Sequence, residues 1–306
     1  MMYMPILIKR GNMNTIFCIM MFILGAFFGS FFTLAIYRIP LNKNITHERS
    51  FCPNCNHKLG AIDLIPIFSY VFLGGKCRYC KEKIRIRYLL LEVLSGTVFV
   101  LMYLSYNMTY PFLNFFRTLN LISFILMYVI LAIIAGIDKE RMIIQKNVLM
   151  TGFVFNLLYN TYLYYGLNLH DVMTININIV FSIFSLAVYG VYMYFISRRE
   201  TIILGKQEVV ESKLKENKKE IKKKIEEETE KRMKARYNID IIMLLLFVLI
   251  NTNEKISFGV VCALLITKLF GKIIKKNDIP LGFFTCIYTV IMNLAYNYIF
   301  YFLRGI

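Results

Sequence analysis

The sequence predicts an all-α, polytopic membrane protein, a bundle of about eight helices with a small cysteine-containing loop on the cytoplasmic side. The chain has 306 residues, of which 58% are hydrophobic. Its mean hydropathy is +0.56, far too apolar for a soluble globular protein. Its apolar runs reach about twenty residues, which is enough to cross a bilayer as helices. Lysine and arginine are concentrated after the first, third, fifth and seventh runs, as expected for loops that remain in the cytoplasm.

Eight apolar runs are predicted as membrane spans. In chain order they cover residues 16–36, 88–106, 118–137, 148–165, 175–196, 239–250, 256–274 and 281–303. The sixth run is too short to cross a bilayer unless it extends into its polar flanks. The eighth begins after Pro280, a position at which a helix start tolerates proline.

These runs divide the chain into five predicted parts. They are a first span (1–37), a cytoplasmic four-cysteine loop (38–87), spans two to five (88–204), a charged helical insertion (205–236) and spans six to eight (237–306). The insertion carries dense charge of both signs, and glutamate and lysine three or four residues apart favour a solvated helix. We expect a cytoplasmic spacer there, and a partner-binding or membrane-surface helix is the alternative.

Basic residues orient the spans and account for the net charge of +17. The outlets at 107–116 and 166–174 contain no lysine or arginine. The cysteine loop, the turn after residue 138, the insertion and the loop near residue 275 are therefore predicted to be cytoplasmic, with both termini outside. Lys9 and Arg10 run against this orientation. The sequence predicts a multi-pass protein of the cell membrane with no removable signal peptide.

Two CxxC motifs in the loop after the first span predict a metal site. Cys52 and Cys55 form one motif, and Cys77 and Cys80 form the other. Each turn brings two sulfurs to one side of a bend, so the pair can enclose a zinc ion in a zinc-ribbon-like loop. Two disulfides are the alternative. Basic residues favour thiolates and the reducing cytoplasmic side; they are Lys58, Lys76, Arg78, Lys81 and Lys83.

Two aspartates border apolar runs on the predicted cytoplasmic side. Asp138 ends the third run, and Asp240 opens the sixth. An ionisable group at membrane depth indicates function, although Asp138 alone could simply reach interfacial water. Two facing aspartates could share a proton, so that one activates water while the other protonates the scissile group. Spacing alone does not bring them together.

The sequence resembles the bacterial type IV prepilin peptidases. Residues 29–40, GSFFTLAIYRIP, are similar to the family's opening GSFLNVVIYRLP. Residues 52–92 match its cysteine loop almost throughout, and residues 279–283, IPLGF, resemble its closing IPFGPF element. Asp138 occupies the place of the first catalytic aspartate. The resemblance covers most of the chain.

The resemblance implies a GxGD-type membrane aspartyl endopeptidase. Such an enzyme would use Asp138 and Asp240 to remove the short basic leader of pilin-like precursors at the cytoplasmic face. Family members often also methylate the new N-terminus with S-adenosylmethionine, an activity associated with the cysteine loop. The chain departs from the GxGD pattern, because its glycine positions hold Tyr237 and Ile239, and Ile242 replaces the following lysine. A departure also follows Asp138, where Gln145 replaces the usual proline.

Two other functions are compatible with parts of the sequence. The altered GxGD surroundings favour a catalytically impaired relative that binds pilin-like precursors or scaffolds their assembly. The only support for a membrane-tethered zinc ribbon that binds nucleic acid is the positive charge. That charge is better explained by basic residues that flank membrane spans and set their orientation. We therefore expect pilin-like precursors and the lipid bilayer as partners, and no nucleic acid.

The predicted orientation is testable by labelling introduced thiols. Asn168→Cys should react with a membrane-impermeant maleimide in intact cells, because its loop is predicted to be outside. Lys219→Cys should react only after lysis, and the parent chain controls for labelling of native cysteines. The reverse pattern would place both aspartates on the wrong side of the membrane.

Overall fold

The computed structural model describes residues 4–45, 49–105, 115–166, 237–249, 254–273 and 279–304, together with residues 180, 183, 184, 187 and 191. The longer helices of this part are α1 (Met4–Arg38), α2 (Phe68–Phe72), α3 (Arg87–Ser105), α4 (Phe115–Arg141), α5 (Lys146–Gly166), α6 (Tyr237–Leu249), α7 (Glu254–Ile273) and α8 (Leu281–Arg304). Within it, β-structure is limited to isolated bridges, which confirms the all-α prediction. The insertion at 205–236 and most of the fifth predicted span lie outside the described residues.

Three helices in the described part are long and apolar enough to cross a membrane. They are Asn14–Leu41, Arg87–Ser105 and Thr118–Arg141, which correspond to the first three predicted spans. Shorter apolar helices cover Tyr237–Leu249, Gly259–Lys268 and Leu281–Tyr296, where the last three spans are predicted. The count of eight spans stays a prediction, and so do the five predicted parts.

The chain forms two compact units. The first comprises Met1–Arg141 and Phe283–Ile306, and the second comprises Met142–Gly282. The second unit is held by apolar contacts between α5 and α6, where the rings of Phe153 and Phe247 meet edge to face with centroids 5.3 Å apart. Both side chains are buried.

Small residues bring α1 and α3 into backbone contact in the first unit. A Cβ added to Gly29 would lie 2.6 Å from the Cα of Glu92, and one added to Gly25 would lie 2.6 Å from the carbonyl oxygen of Ser95. On α3, a Cβ at Gly96 would lie 2.8 Å from the ring of Phe22. Glycine is therefore required on both helices, because any side chain would push them apart.

An aromatic cluster joins these helices to α4. The Phe99 ring of α3 packs against Phe28 of α1 and Tyr128 of α4, with centroids 5.4 Å and 5.8 Å apart. Tyr128 also meets Phe32 edge to face. Its hydroxyl hydrogen-bonds to the Ser95 hydroxyl across 3.2 Å, so the buried polar group of this ring has a partner.

The outer face of α1 is apolar over several turns. Its exposed side chains recur three or four residues apart and are Ile16, Met20, Ile23, Phe27 and Phe31. An apolar stripe facing away from the packed core is the pattern of a helix whose surroundings are lipid.

Replacement of Gly29 should test the α1–α3 contact. Gly29→Ala should lower the free energy of unfolding in detergent by about 2 kcal/mol, because the backbone at Glu92 has no room to move aside. Alanine's higher helix propensity, worth about 1 kcal/mol, opposes this loss only in part. Gly60→Ala is the control, since its Cβ would meet only the Asp63 carboxylate at 3.6 Å. Equal stability of the two variants would contradict a tight helix contact.

Candidate active site and four-cysteine centre

The two CxxC motifs form equivalent turns. The amide of Cys52 donates to the carbonyl of His57 at 3.0 Å, and the amide of Cys77 donates to that of Glu82 at 2.8 Å. Antiparallel bridges flank the turns, Phe51 with Lys58 and Lys76 with Lys83. The residue after the second cysteine has a positive φ in each turn, 56° at Asn56 and 59° at Lys81. Each motif therefore folds as a tight turn with its two sulfurs on one side.

The two turns bring all four cysteine sulfurs together. The Sγ atoms of Cys52, Cys55, Cys77 and Cys80 lie within 4.8 Å of one another. Cys52 and Cys80 are 3.8 Å apart. With Zn–S bonds of about 2.3 Å, the edge of a tetrahedral site is about 3.8 Å, whereas a disulfide needs about 2.05 Å. The four thiols are free, and their arrangement fits a single metal ion.

The thiols of this cluster differ in acidity. The backbone N–H of Glu82 lowers the pKa of Cys80 to about 7, helped by the Asn54 amide, whose Nδ2 lies 3.7 Å from the sulfur. The backbone N–H of His57 lowers the pKa of Cys55, but desolvation and the neighbouring cysteine sulfurs raise it to about 11. The neighbouring sulfurs thus oppose ionisation of Cys55, and a divalent cation would remove that obstacle because it binds thiolates.

Asp63 ties the second turn to the segment between the two motifs. Its carboxylate accepts a hydrogen bond from the Arg78 Nε at 2.6 Å and one from the Gly60 amide at 3.1 Å. Tyr79 donates to the same group at 3.3 Å, and its ring lies over that of His57. Partial desolvation raises the pKa of Asp63, but these hydrogen bonds outweigh it and hold the pKa below its ordinary value.

A buried glutamate attaches the cysteine loop to the membrane helices. The Oε2 atom of Glu92, on α3, accepts a hydrogen bond from the amide of Ile67 at 2.7 Å. The Ser30 side chain of α1 hydrogen-bonds to the same carboxylate. Ile67 has a φ of 65°, an unfavourable conformation for a β-branched residue. This contact helps to offset the strain, because it satisfies the amide that the unusual backbone turns toward α3.

Asp138 is fully buried in the last turn of α4. Its Oδ2 accepts a hydrogen bond from the amide of Phe283 at 2.8 Å. A carboxylate is disfavoured at a helix C-terminus and favoured at a helix N-terminus. The first turn of α8 supplies such an N-terminus, with backbone N–H groups that have no partner within the helix. Lys139 lies over the Phe283 ring, with its Nζ 4.9 Å from the centroid.

Asp138 lies at the same end of the helices as the cysteine loop. Arg87, the first residue of α3, forms an ion pair with Glu140 in the last turn of α4. Gly136, two residues before Asp138, allows the Ile36 side chain of α1 to approach the α4 backbone. The end of α4 is thereby held beside the end of α1 and the start of α3.

Asp240 is buried in the first turn of α6, with 4% of its surface exposed. Ile241 and Leu244 beside it are buried, whereas Ile239 and Ile242 are exposed. The four cysteines come together as predicted. Asp138 and Asp240 fall in different compact units, so their pairing stays a prediction.

Comparison with known proteins bears on the first part of the chain. Residues 23–106 match the model of the bacterial Peptidase A24 N-terminal domain. This stretch contains the glycine contact, the four cysteines and Glu92. The resemblance to prepilin peptidases is confirmed. No solved structure matches the chain.

Curated relatives share the name prepilin leader peptidase/N-methyltransferase. The protein of Myxococcus xanthus is 31% identical over 46% of this chain and 40% of its own length. The protein of Klebsiella pneumoniae is 33% identical over 45% of this chain and 60% of its own length. The protein of Vibrio cholerae is 31% identical over 48% of this chain and 58% of its own length. The chain thus spans about half the length of the curated relatives it matches.

Metal analysis of the purified chain should find about one zinc ion per molecule, as a tetrahedral four-sulfur site requires. Cys77→Ser should weaken zinc binding at least about tenfold, since even the loss of a residue that only supports a metal ligand has effects of this size. Cys18→Ser is the matched control because Cys18 lies within α1, outside the cluster. Full zinc content in Cys77→Ser, or disulfides in protein kept under reducing conditions, would contradict the site.

Proposed function

We propose that this protein is a membrane aspartyl endopeptidase. It removes the short leader of type IV pilin-like precursors at the cytoplasmic face of the cell membrane. The observation that carries the proposal is the match of residues 23–106 to the Peptidase A24 N-terminal domain. The relative from Vibrio cholerae, named prepilin leader peptidase/N-methyltransferase, extends the similarity over 48% of the chain.

Asp138 and Asp240 are the proposed catalytic pair. Both are buried acids at the end of an apolar helix, one at the C-terminus of α4 and one at the N-terminus of α6. Burial of a carboxyl group is costly without a partner or a function. In the proposed mechanism one carboxylate takes a proton from the attacking water, and the other carboxyl group protonates the leaving amine.

The Phe283 amide and the cysteine loop have different roles in this proposal. The hydrogen bond from Phe283 fixes the orientation of the Asp138 carboxyl group. Zinc bound by the four cysteines would hold the loop together, and we assign it no part in peptide cleavage. The proposal includes methylation of the new N-terminus, for which S-adenosylmethionine would supply the methyl group.

A precursor-binding relative without peptidase activity is the second candidate. Its support is the sequence around Asp240, where Tyr237 and Ile239 replace the glycines of the GxGD motif. Larger side chains there would hinder the approach of a substrate backbone. This candidate predicts that the chain binds a pilin-like precursor without cutting it.

Substitution of either aspartate should separate these functions. Asp138→Asn and Asp240→Asn should each lower the rate of leader cleavage by about 10⁴-fold, because each removes a group that exchanges protons in the reaction. The measurement is cleavage of a co-expressed pilin-like precursor, followed by N-terminal sequencing of the product. Its mass spectrum reports whether the new terminus also carries a methyl group.

Glu82→Gln is the control acid, because its side chain is exposed in the cysteine loop. It should retain cleavage, and all variants should keep their zinc. Loss of activity confined to Asp138→Asn would mean that Asp240 is wrongly assigned. Full cleavage by both aspartate variants would refute the aspartyl mechanism. Binding without cleavage by the unaltered chain would favour the second candidate.

A further inference from the structure

The segment between the two cysteine motifs has an outward-facing apolar surface. In α2, Phe68, Val71 and Phe72 are exposed by 60%, 63% and 82%. They recur at i, i+3 and i+4 and so share one face of the helix. The same surface extends into the preceding turn, and we refer to the whole set as the α2 face. Its members are Ile62, Leu64, Ile65, Phe68, Val71 and Phe72.

The inner side of α2 is the more polar one. The Tyr70 hydroxyl donates to the carbonyl of Ile84 at 3.3 Å, and its ring fills the space beside Gly75. Ser69 is also partly covered. A surface helix of a soluble protein places its apolar side chains inward and its polar ones outward. The α2 segment reverses this arrangement, as expected where the surroundings are not water.

The contact with Glu92 fixes the depth of this segment. Glu92 lies five residues after Arg87, where the membrane-length helix α3 begins. At 1.5 Å per residue, it is about 7.5 Å along the helix from that end. The amide of Ile67, directly before α2, is hydrogen-bonded to this carboxylate at 2.7 Å. Leu90 and Leu94 on the same part of α3 are exposed, as lipid-facing side chains would be.

The loop on either side of α2 carries an excess of positive charge. The exposed basic residues of the surrounding loop are Lys58, Lys76, Arg78, Lys81, Lys83 and Arg85. Short apolar surfaces with basic borders are typical of segments that lie in the headgroup region, where the borders meet lipid phosphates. Apolar exposure, depth along α3 and charge all favour the same occupant.

We propose that the α2 face inserts into the headgroup and upper acyl region of the bilayer that α1 and α3 cross. The four-cysteine centre is then docked on the membrane surface at this segment, besides being joined to it through α1 and α3. The inference goes beyond the proposed peptidase activity and does not depend on it, because it rests on the exposure of α2 and its bond to α3. An apolar helix of a bound precursor is the competing occupant.

Tryptophan fluorescence provides the test, because the chain contains no tryptophan. The full-length protein carrying Phe72→Trp is reconstituted into phospholipid vesicles, with and without lipids brominated in the upper acyl chain. Brominated lipid should remove about half of the emission, since interfacial segments lie about 5–10 Å deep. Phe51→Trp is the matched control, an exposed aromatic in the first cysteine turn, and should be quenched far less. Zinc content verifies that each variant is folded.

Phe68→Trp repeats the measurement should Phe72→Trp fail to fold. Quenching of either α2 variant no stronger than that of Phe51→Trp would overturn the proposal. Strong quenching that disappears when a pilin-like precursor is added would also overturn it, because the α2 face would then be the precursor's site. Quenching that persists with the precursor present would support the lipid as occupant.

Discussion

The close approach of α1 and α3 is the constraint on which the first unit depends. Gly25 and Gly29 on α1 meet Gly96 and the backbone of Glu92 on α3 without intervening side chains. Helices in a bilayer gain little from apolar burial, because lipid is as apolar as leucine, so close packing and polar contacts must hold them together. The glycines let the two backbones approach closely enough for both close packing and polar contacts.

Several features of the candidate site follow from this one distance. Ser30 and Glu92 come within hydrogen-bonding reach, and the carboxylate then has capacity for the amide of Ile67. The loop that starts at the end of α1 is thereby fixed to α3 between its two cysteine motifs. The same pair of helices supports α4 through Tyr128 and Gly136, which places Asp138 at the loop end of the bundle.

Short sequence patterns predicted the features that are determined by residues close together in the chain. The paired CxxC motifs identified the four sulfurs that converge, because a CxxC turn places its own ligands. Apolar run length identified the first three membrane-length helices to within a few residues. The four-residue spacing of Gly25 and Gly29 is typical of a close helix approach. Most of the fifth predicted span and the charged insertion lie outside the described residues, so both stay predictions.

Contacts between distant residues could not be predicted in this way. One partner of Asp138 is the amide of Phe283, 145 positions away, and a backbone donor carries no signature in the sequence. Glu92 matched the family pattern, but its role depends on Ile67 adopting a positive φ, which no propensity of isoleucine suggests. The predicted pairing of Asp138 with Asp240 would also be long-range, and it stays a prediction.

Tyr237 and Ile239, at the positions aligned with the glycines of the GxGD motif, fit the helix that carries Asp240. Tyr237 and Ile239 lie in the first turn of α6 with helical backbone, so neither position needs the conformational freedom of glycine. The Tyr237 hydroxyl accepts a hydrogen bond from the amide of Gly282 at 3.4 Å. It thus satisfies one of the N–H groups that a helix start leaves without an intrahelical partner. Tyrosine at this position has a structural role of its own, and the backbone that carries Asp240 is compatible with both replacements.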